Sequence, residues 1–397
     1  MYYARFGILL LLVSAASAQT LPVSGSAAST FREMPNGNPA SGQLSPLTLQ
    51  QSYGIGGQTT VLAARVGWFG SSKHVNVGYR SDDPAQVARQ LQAMQARGIG
   101  GVTIAWYGNT DADVSGRTPS TVMSQAERMS GFSFALRVNE GLLRWYAKGQ
   151  PPTAALIEQL RGAQPFFRSP AYLKVDGRPV VFFFGFESFG VDWVQVKAAL
   201  PGNPIFLFRN SKGFAIPGSD GAFAWGPAND LSYLQYFYKM AARVPQKIAV
   251  GGLHKGFNDS AASWGKNRHV DQRCGEAFLD TVRALPQDLP FVQLVTWDDY
   301  EEGTELETGI DNCVRIDLQQ ADGGGLRWSV TGNESAVDHY EVQVSQDGVG
   351  FTTVERLNTS EHQYSGKLSD KVRIVAVGKA LFLDQVSNTL STGEKAR

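Results

Sequence analysis

The stretch "FVQLVTW" (291–297) is an apolar segment of the length of one β-strand, and seven similar segments precede it. These lie at 62–69, 101–108, 132–138, 179–186, 204–210, 222–226 and 247–253. Helical patterns separate them, for example "DPAQVARQLQAMQARG" (83–98) and "LSYLQYFYKMAARV" (231–244). Near-continuous apolar strands that alternate with helices are typical of parallel sheets covered by helices. Eight such units predict an α/β fold, a (β/α)8 TIM barrel, over residues 61–321.

The chain before these units has the composition of an export signal and a linker. Residues 1–18 contain one positive charge, the apolar run "GILLLLV" and the small residues "ASA", which predict a cleaved signal peptide. We therefore expect a secreted or periplasmic protein. The apolar run is too short to cross a bilayer, so we predict no integral membrane segment in the mature chain. Residues 19–60 are rich in Ser, Gly, Asn, Pro and Thr, which indicates a flexible lead-in.

The chain after the units changes its periodicity. "ADGGG" (321–325) has the composition of a linker, and "HYEVQVSQDGVGF" (339–351) alternates apolar and polar residues with a period of two. This pattern predicts a small antiparallel β-sandwich over residues 322–397. With an early Trp and a Tyr-bearing strand, the segment resembles a fibronectin type III module.

Charge and cysteine content exclude several classes of partner and cofactor. The 36 Lys and Arg balance the 36 Asp and Glu, so nothing indicates a nucleic acid or an anionic membrane as partner. Cys274 and Cys313 are the two cysteines of the chain. They form either a disulfide or two free buried thiols, and they are too few for a zinc site by spacing. We predict a monomer without a metal or another cofactor.

Aromatic and hydrogen-bonding residues follow most of the predicted strands. A (β/α)8 barrel binds its substrate at the carboxyl ends of its strands. Sugar rings stack on Trp and Tyr, whereas sugar hydroxyls need carboxylates and other polar groups. We therefore predict a site for a polysaccharide or glycan, although each of these residues taken singly also fits a structural role. The predicted substrate-binding residues are His74, Trp106, Tyr107, Asp111, Glu140, Arg209, Trp225, Trp297 and Tyr300.

The segment "TWDDYEEGTELE" (296–307) places six carboxylates in twelve residues directly after the eighth strand. Hydrolysis of a glycosidic bond needs two carboxyl groups, one of which donates a proton to the leaving oxygen. Asp299 and Glu302 are candidates, because residues three apart share one side of a helical turn. Crowding of carboxylates also raises the pKa of at least one of them, as a proton donor requires. A solvated acidic loop and a calcium-binding loop remain alternatives at this stage.

Three motifs resemble those of glycoside hydrolase families 71 and 99. They are "VTWDDYEEGTELETGIDN" (295–312), "DDPAQVARQLQAMQARGIGGVTIAWYG" (82–108) and "YLKVDGRPVVFFF" (172–184), and the resemblance covers residues 65–312 in order. These families are endo-α-1,3-glucanases and endo-α-mannosidases or mannanases. The resemblance implies catalytic roles for Asp299 and Glu302, with Glu302 as the acid/base.

The motif after the eighth strand lies between the two family patterns. Asp299 matches the Asp of family 71, whereas "Glu-Gly-Thr" from Glu302 matches family 99, in which the first carboxylate acts through the 2-hydroxyl of the sugar. Asp298 stands where the pattern has Asn. The resemblance therefore leaves both the linkage and the retaining or inverting outcome open.

The function that we expect is that of an exported glycoside hydrolase, which cleaves an α-linked polysaccharide or glycan by carboxylate acid/base catalysis. Two alternatives belong to other classes. One is a non-catalytic carbohydrate-binding protein on a decayed hydrolase barrel, and the other is a surface adhesion protein that acts through the C-terminal sandwich.

Overall fold

The computed structural model of the chain describes residues 43–147, 149–226, 231–322, 324–366, 368 and 371–392. The signal peptide expected at 1–18 and the first part of the expected lead-in, residues 19–42, lie outside the described residues. Within the described ranges, no helix is both long enough and apolar enough to cross a membrane.

Eight parallel strands close into a barrel, which confirms the predicted fold class. Each strand pairs with the next one along the chain. The eighth strand pairs with the first, with Thr60 opposite Phe291, and closes the barrel. All eight apolar segments of the sequence are strands. Their bounds are β1 Thr60–Arg65, β2 Gly101–Trp106, β3 Ser133–Asn139, β4 Arg178–Phe184, β5 Ile205–Arg209, β6 Gly221–Phe223, β7 Ile248–His254 and β8 Phe291–Val295.

Helices cover the outside of the barrel. In the helix α2 (Pro84–Ala96), Asp83 caps the first turn by accepting from the backbone N–H groups of Ala85 and Gln86. The buried face of this helix includes Val87, Leu91 and Met94. The bounds are α1 Leu49–Tyr53, α2 Pro84–Ala96, α3 Val114–Ala126, α4 Pro152–Gly162, α5 Gln164–Arg168, α6 Trp193–Ala198, α7 Ser232–Ala241 and α8 Glu276–Arg283. One π-helical turn, Leu142–Tyr146, and four 3-10 turns, Phe186–Ser188, Ser211–Ala215, Arg273–Gly275 and Glu334–Ala336, complete the helical elements of the described residues.

Residues 43–59 differ from the flexible lead-in that the composition predicts. Thr48 caps α1 through a capping box, and Leu49 is fully buried in the barrel core. Leu44 forms a bridge with Leu383, and the Tyr53 hydroxyl donates to the Ala380 carbonyl at 3.0 Å. The segment is ordered because its apolar residues pack against the barrel and the C-terminal segment.

Two antiparallel sheets follow the barrel and share a core that includes Trp328 and Tyr340. One sheet has the order β9-β10-β13, and the other has the order β12-β11-β14-β15, with β16 also paired to β14. The bounds are β9 Arg315–Gln320, β10 Leu326–Thr331, β11 Val337–Ser345, β12 Thr352–Leu357, β13 Gln363–Tyr364, β14 Lys371–Gly378, β15 Gln385–Val386 and β16 Leu390–Ser391. Three two-residue strands lie in barrel loops, at Lys174–Val175, Phe257–Asn258 and His269–Val270.

The sandwich begins at Arg315, seven residues before the boundary that the sequence predicts at 322. Ile316 and Leu318 alternate inward from β9, which pairs along its length with β10. Ala321 and Gly325 of the "ADGGG" segment therefore join these two strands directly, with the Ala321 N–H donating to the Gly325 carbonyl at 3.0 Å. A glycine-rich turn and a glycine-rich linker have the same composition, so the sequence does not separate them.

The C-terminal segment also packs into the core of the barrel. Leu381 and Phe382 are fully buried in the same core cluster as barrel residues. The Phe382 ring packs on Gly275, where a Cβ atom would lie 2.1 Å from it. Cys274 and Cys313 form a disulfide between the loop before α8 and the start of the sandwich. The two parts of the chain are thus joined by packing and by a covalent bond.

Candidate functional site

The acidic segment after β8 is folded into the protein. Asp298, Asp299 and Glu301 are buried, with exposed fractions of 0%, 3% and 1%, and Glu305 is fully buried against Lys255. The solvated loop considered from the sequence therefore does not describe this segment. Among the described residues, no group of three or more His, Cys, Asp and Glu side chains is arranged to hold a metal ion.

Asp299 and Glu302 are joined by the turn between them. The backbone N–H of Glu302 donates to Oδ1 of Asp299 at 3.1 Å, and the Asp299 N–H donates to the Thr296 hydroxyl at 2.9 Å. Side chains of Asp often accept from the backbone three residues on, and this contact fixes the local turn. The turn holds both carboxyl groups at the carboxyl end of β8.

Both carboxyl groups hold a proton more tightly than usual. Burial raises the pKa of Asp299 well above its ordinary value, and the neighbouring Glu302 carboxyl raises it further. Burial also raises the pKa of Glu302, against the opposing effects of a hydrogen bond from Trp264 and of the Arg268 charge. Because a desolvated carboxyl group favours its neutral form, this pair has the character that a proton donor needs.

Glu302 lines a cavity of about 600 Å³ at the carboxyl ends of the strands. Arg209 and Trp225, both predicted from the sequence, line it as well, and no Asp299 atom does. A cavity of this size with aromatic walls and a few polar groups is typical of small-molecule or sugar sites. The other lining residues are Phe184, Asn210, Gly226, Ser232, Tyr233, His254, Gly256, Phe257, Arg268, Val295 and Thr304.

An aromatic group flanks Glu302 on the side of β1. The Trp264 indole, 42% exposed, places Nε1 3.5 Å from Oε1 of Glu302. Trp264 contacts His74 edge to face at 5.7 Å, and His74 stacks on Trp68 at 5.3 Å. His74 Nδ1 lies 2.9 Å from Glu301. His74 thus reaches the site through Glu301 and Trp264 and does not line the cavity.

Arg137 was missed in the sequence, although a charged residue inside the apolar strand "FSFALRV" was a usable signal. It is 4% exposed, and it crosses the barrel interior from β3. Its Nη2 donates to the Arg65 carbonyl at 3.0 Å, and its guanidinium carbon lies 4.5 Å from the centre of the Trp225 ring. Burial lowers the pKa of Arg137 to about 10, so the group remains charged at neutral pH.

His254 and the loop after it supply further residues absent from the predicted site. Burial lowers the pKa of His254 to about 4, so the imidazole on the cavity wall is neutral at neutral pH. Arg268 and Trp264 lie in the loop that follows β7. The backbone N–H of Asn258 in this loop donates to the Glu302 carbonyl at 2.8 Å. The loop has no regular period in the sequence, and its contact with Glu302 follows only from the fold.

Three predicted sugar-binding residues are at most 1% exposed, which corrects the sequence prediction. Trp106 and Trp297 are 1% and 0% exposed and belong to the barrel core. Trp106 shares its face of β2 with Val102 and Ile104, because side chains alternate along a strand. Tyr300 is also buried, and its hydroxyl donates to Glu307 at 2.9 Å. None of the three offers a ring face to a substrate.

The remaining predicted residues lie on the side of β2 and β3, outside the lining of the cavity. Tyr107 packs against the exposed Trp145, with ring centres 5.4 Å apart. Asp111 is exposed, and its carbonyl accepts from Arg117 at 2.8 Å. Glu140 forms an ion pair with Arg144 at 2.9 Å. These residues follow the carboxyl ends of β2 and β3, but they do not line the cavity that Glu302 lines.

Asp298 has a structural position behind the site. Its Oδ1 accepts from the Val66 N–H at 2.8 Å, and Arg65 Nε lies 3.3 Å from its Oδ2. Burial raises the pKa of Asp298 to about 7, against the opposing charge of Arg65. Asp298 fixes the end of β8 to β1, which orients the turn that carries Asp299 and Glu302.

Two solved structures of the glycoside hydrolase family 99 endo-α-mannosidase from Bacteroides thetaiotaomicron share this fold. One, in complex with bis-tris propane, is 15% identical, covers 66% of this chain and 89% of its own, and has a TM-score of 0.51. The other is 14% identical, covers 68% of this chain and 91% of its own, and has a TM-score of 0.50. No protein-family model matches the sequence. No curated protein matches it significantly. At this identity, the likeness establishes the barrel fold alone.

Proposed function

We propose that the chain is a glycoside hydrolase that cleaves an α-linked glycan, with Glu302 as the proton donor and Asp299 as the second carboxylate. One observation carries the proposal. Glu302, whose carboxyl group has a raised pKa, lines a cavity at the end of β8. Its backbone N–H donates to the carboxyl group of Asp299, whose pKa is also raised. Two carboxyl groups in such a setting are the machinery that glycoside hydrolysis requires.

Glu302 has the properties of a general acid. Glu302 lines the cavity, and its raised pKa keeps the carboxyl group protonated to a higher pH than an exposed Glu. Transfer of this proton to the glycosidic oxygen makes the leaving sugar a neutral alcohol as the bond breaks. Trp264 orients the carboxyl group through its indole N–H.

In this proposal Asp299 does not contact the sugar but acts on it through a water molecule. It is buried, its Oδ1 is held by the Glu302 N–H, and it does not line the cavity. In its ionised form, Asp299 removes a proton from a water molecule, and that water attacks the anomeric carbon. The product then has an inverted configuration. Water supplies the hydroxyl group of the new reducing end, and its other proton passes to Asp299.

The substrate class rests on the fold neighbours and on the sequence motifs. The neighbours are endo-α-mannosidases, and the motifs resemble families that cleave α-linkages within a chain. The cavity is open to solvent and lined by Phe184, Trp225 and Phe257, which suits a sugar within a longer glycan. We propose endo-cleavage of such a glycan outside the cytoplasm, in keeping with the export signal that the sequence predicts.

The position of Asp298 favours an enzyme over a binding protein on a decayed barrel. This residue departs from the Asn of the related families, but it is fully buried against Arg65 and does not line the cavity. The replacement of Asn by Asp at position 298 therefore does not alter the lining of the cavity. Asp299 and Glu302, the two carboxyl groups of the proposed chemistry, are both present.

A hydrolysis screen tests the proposal. The full mature chain is incubated with α-1,3-glucan, α-mannan and related α-glycans, and release of reducing ends is measured together with binding. We expect release from at least one of these substrates. Binding without release from any of them would support the carbohydrate-binding alternative. Binding that is unchanged in a folded full-length Trp225→Ala variant, which alters the cavity, would support adhesion through the sandwich.

A further inference from the structure

Two arginine side chains contact the aromatic residues Phe184 and Trp225 of one cavity wall, of which Arg209 also lines the cavity and Arg137 does not. The guanidinium carbon of Arg209 is 4.5 Å from the centre of the Phe184 ring, and that of Arg137 is 4.5 Å from the centre of the Trp225 ring. The two rings contact each other edge to face at 4.9 Å. Cations are attracted to aromatic faces, so the wall holds two positive charges near each other.

Arg209 has only a weak counter-ion. Its Nε and Nη2 both contact the same oxygen of Glu187, at 3.2 and 2.8 Å, and these are its hydrogen bonds within the part of the chain that the structure describes. The Glu187 side chain is 53% exposed. Exposed ion pairs are screened by water and contribute little. Arg209 therefore retains the capacity to bind another anion from the cavity.

Arg137 has no ion-pair partner among the described residues. Its Nη1 is buried and makes no hydrogen bond there, which is unfavourable for a charged group. The carboxyl groups that act on it through space include Asp299, Asp298 and Glu302, whose pKa values are raised. None of them forms a hydrogen bond or an ion pair with Arg137 among the described residues, so no direct contact balances its charge.

Arg268, the other arginine that lines the cavity, is different. Asp259 is buried and accepts from the Arg268 side chain at 2.8 Å and from the backbone N–H groups of Lys266 and Arg268. This carboxylate neutralises Arg268 and ties the loop. Arg209 and Arg137 are therefore the two arginines whose positive charges lack a strong counter-ion. Among the described residues, Glu302 is the one acidic residue that lines the cavity.

From this imbalance we infer that the cavity binds a sugar residue with an anionic substituent, such as a carboxylate or a sulfate ester. Arg209 binds the substituent directly, because a guanidinium group matches the geometry of such anions. Arg137 favours it through space from behind the Trp225 ring. Asn210, Tyr233 and His254 surround the position with neutral polar groups that suit sugar hydroxyls. The inference rests on the proposed function and names the class of its substrate.

A binding comparison with paired sugars tests the inference. The probes are methyl α-D-glucuronide, methyl α-D-glucoside 6-sulfate and methyl α-D-glucoside, titrated into the full mature chain and followed by NMR. We expect at least one anionic probe to bind about tenfold more tightly than the neutral one, as a charge-assisted hydrogen bond provides. The difference should shrink as the salt concentration rises. The two anionic probes separate a carboxylate site from a sulfate site.

Variants assign the effect to the cavity. Arg209→Gln should abolish the preference for the anionic probes, and Arg209→Lys should retain part of it. Arg161→Gln is the matched control, because Arg161 is an exposed residue of α4 outside the cavity. Thermal unfolding checks that each variant is folded. Equal affinity for charged and neutral probes, no binding of any probe, or an unchanged preference in folded Arg209→Gln would overturn the inference.

Different results would contradict the anion site and the hydrolase activity. Hydrolysis of neutral α-glycans without any preference for anionic sugars would retain the hydrolase and remove the anion site. Selective binding of an anionic probe that depends on Arg209, with no hydrolysis of any neutral or anionic α-glycan, would retain the site and remove the hydrolase.

Discussion

The backbone N–H of Glu302 donates to Oδ1 of Asp299 at 3.1 Å, so Glu302 holds the Asp299 side chain in place. The pair therefore behaves as one unit, in which the side chain of Asp299 shapes the turn and the side chain of Glu302 faces the cavity. A change at either position acts on the other, through geometry and through charge.

Asp299→Asn should separate the chemical role of this residue from its structural role. The Asn side chain keeps an oxygen that accepts from the Glu302 N–H, but it cannot remove a proton from water. We expect hydrolysis to fall by about 10²–10⁴-fold while thermal stability is largely retained. Steady-state kinetics and thermal unfolding measure the two effects. An unchanged rate would remove Asp299 from the mechanism.

The configuration of the first product reports how Asp299 acts. If it activates a water molecule, an α-linked substrate yields a β-anomer as the first product. NMR during the first minutes of the reaction observes this anomer before mutarotation. An α-anomer would contradict the inverting route and assign Asp299 to attack or to assistance through a hydroxyl group of the sugar.

Trp264→Phe should shift the alkaline limb of the pH profile upward. The indole N–H of Trp264 stabilises the charged form of Glu302 and so lowers its pKa. Without this donor the pKa of Glu302 rises, and the acid stays protonated to higher pH. The pH dependence of kcat/KM shows the shift. Trp145→Phe is the control, since Trp145 is exposed and does not line the cavity. A downward shift in Trp264→Phe would contradict this role.

Asp298→Asn should change the pH dependence of stability and leave catalysis nearly intact. The pKa of Asp298 is raised to about 7 in the folded state, so the folded protein binds this proton more tightly than the unfolded chain. Its contribution to stability is therefore present below the unfolded value, near 4, and is lost as the pH rises towards 7.

The Asn variant removes this titration, so its free energy of unfolding should fall less between pH 4 and pH 7. Urea unfolding across this range measures the effect. A loss of activity of about 10²-fold or more in the folded variant would give Asp298 a direct role in the reaction.

Phe382→Ala should destabilise the barrel, although Phe382 lies beyond the sandwich strand β14. The ring is fully buried in the barrel core, on Gly275 and against Phe278. Loss of a buried Phe ring is unfavourable by about 3–5 kcal/mol. Val349→Ala, at an exposed position of the sandwich, is the control and should change stability little. A neutral effect of Phe382→Ala would show that the barrel does not depend on the C-terminal segment.

The barrel could be predicted from the sequence because its strands are buried on both faces and therefore stand out as apolar runs. The same property explains the errors at strand ends. Trp106 and Trp297 follow such runs, but whether a ring points to the core or to the mouth depends on pleat and closure, which local composition does not contain. The proximity of Asp299 and Glu302 could be predicted because their spacing matches a turn that the acidic motif itself forms.

Other parts of the site depend on contacts between distant segments. Trp264 approaches Glu302 from an irregular loop, and Arg137 reaches Trp225 from the opposite side of the barrel. No period in the sequence reports such contacts. The signal peptide, the location of the protein and the likeness of the tail to a fibronectin type III module remain predictions.

The most direct measurement is the rate of reducing-end release by Glu302→Gln on the best α-glycan substrate, with Glu158→Gln as the control. Glu158 is an exposed carboxylate of α4, outside the cavity. The account predicts that Glu302→Gln lowers the rate by about 10²–10⁴-fold while substrate binding is retained, because the amide keeps the shape of the group without its proton. An unchanged rate in Glu302→Gln would contradict the assignment of Glu302 as the proton donor.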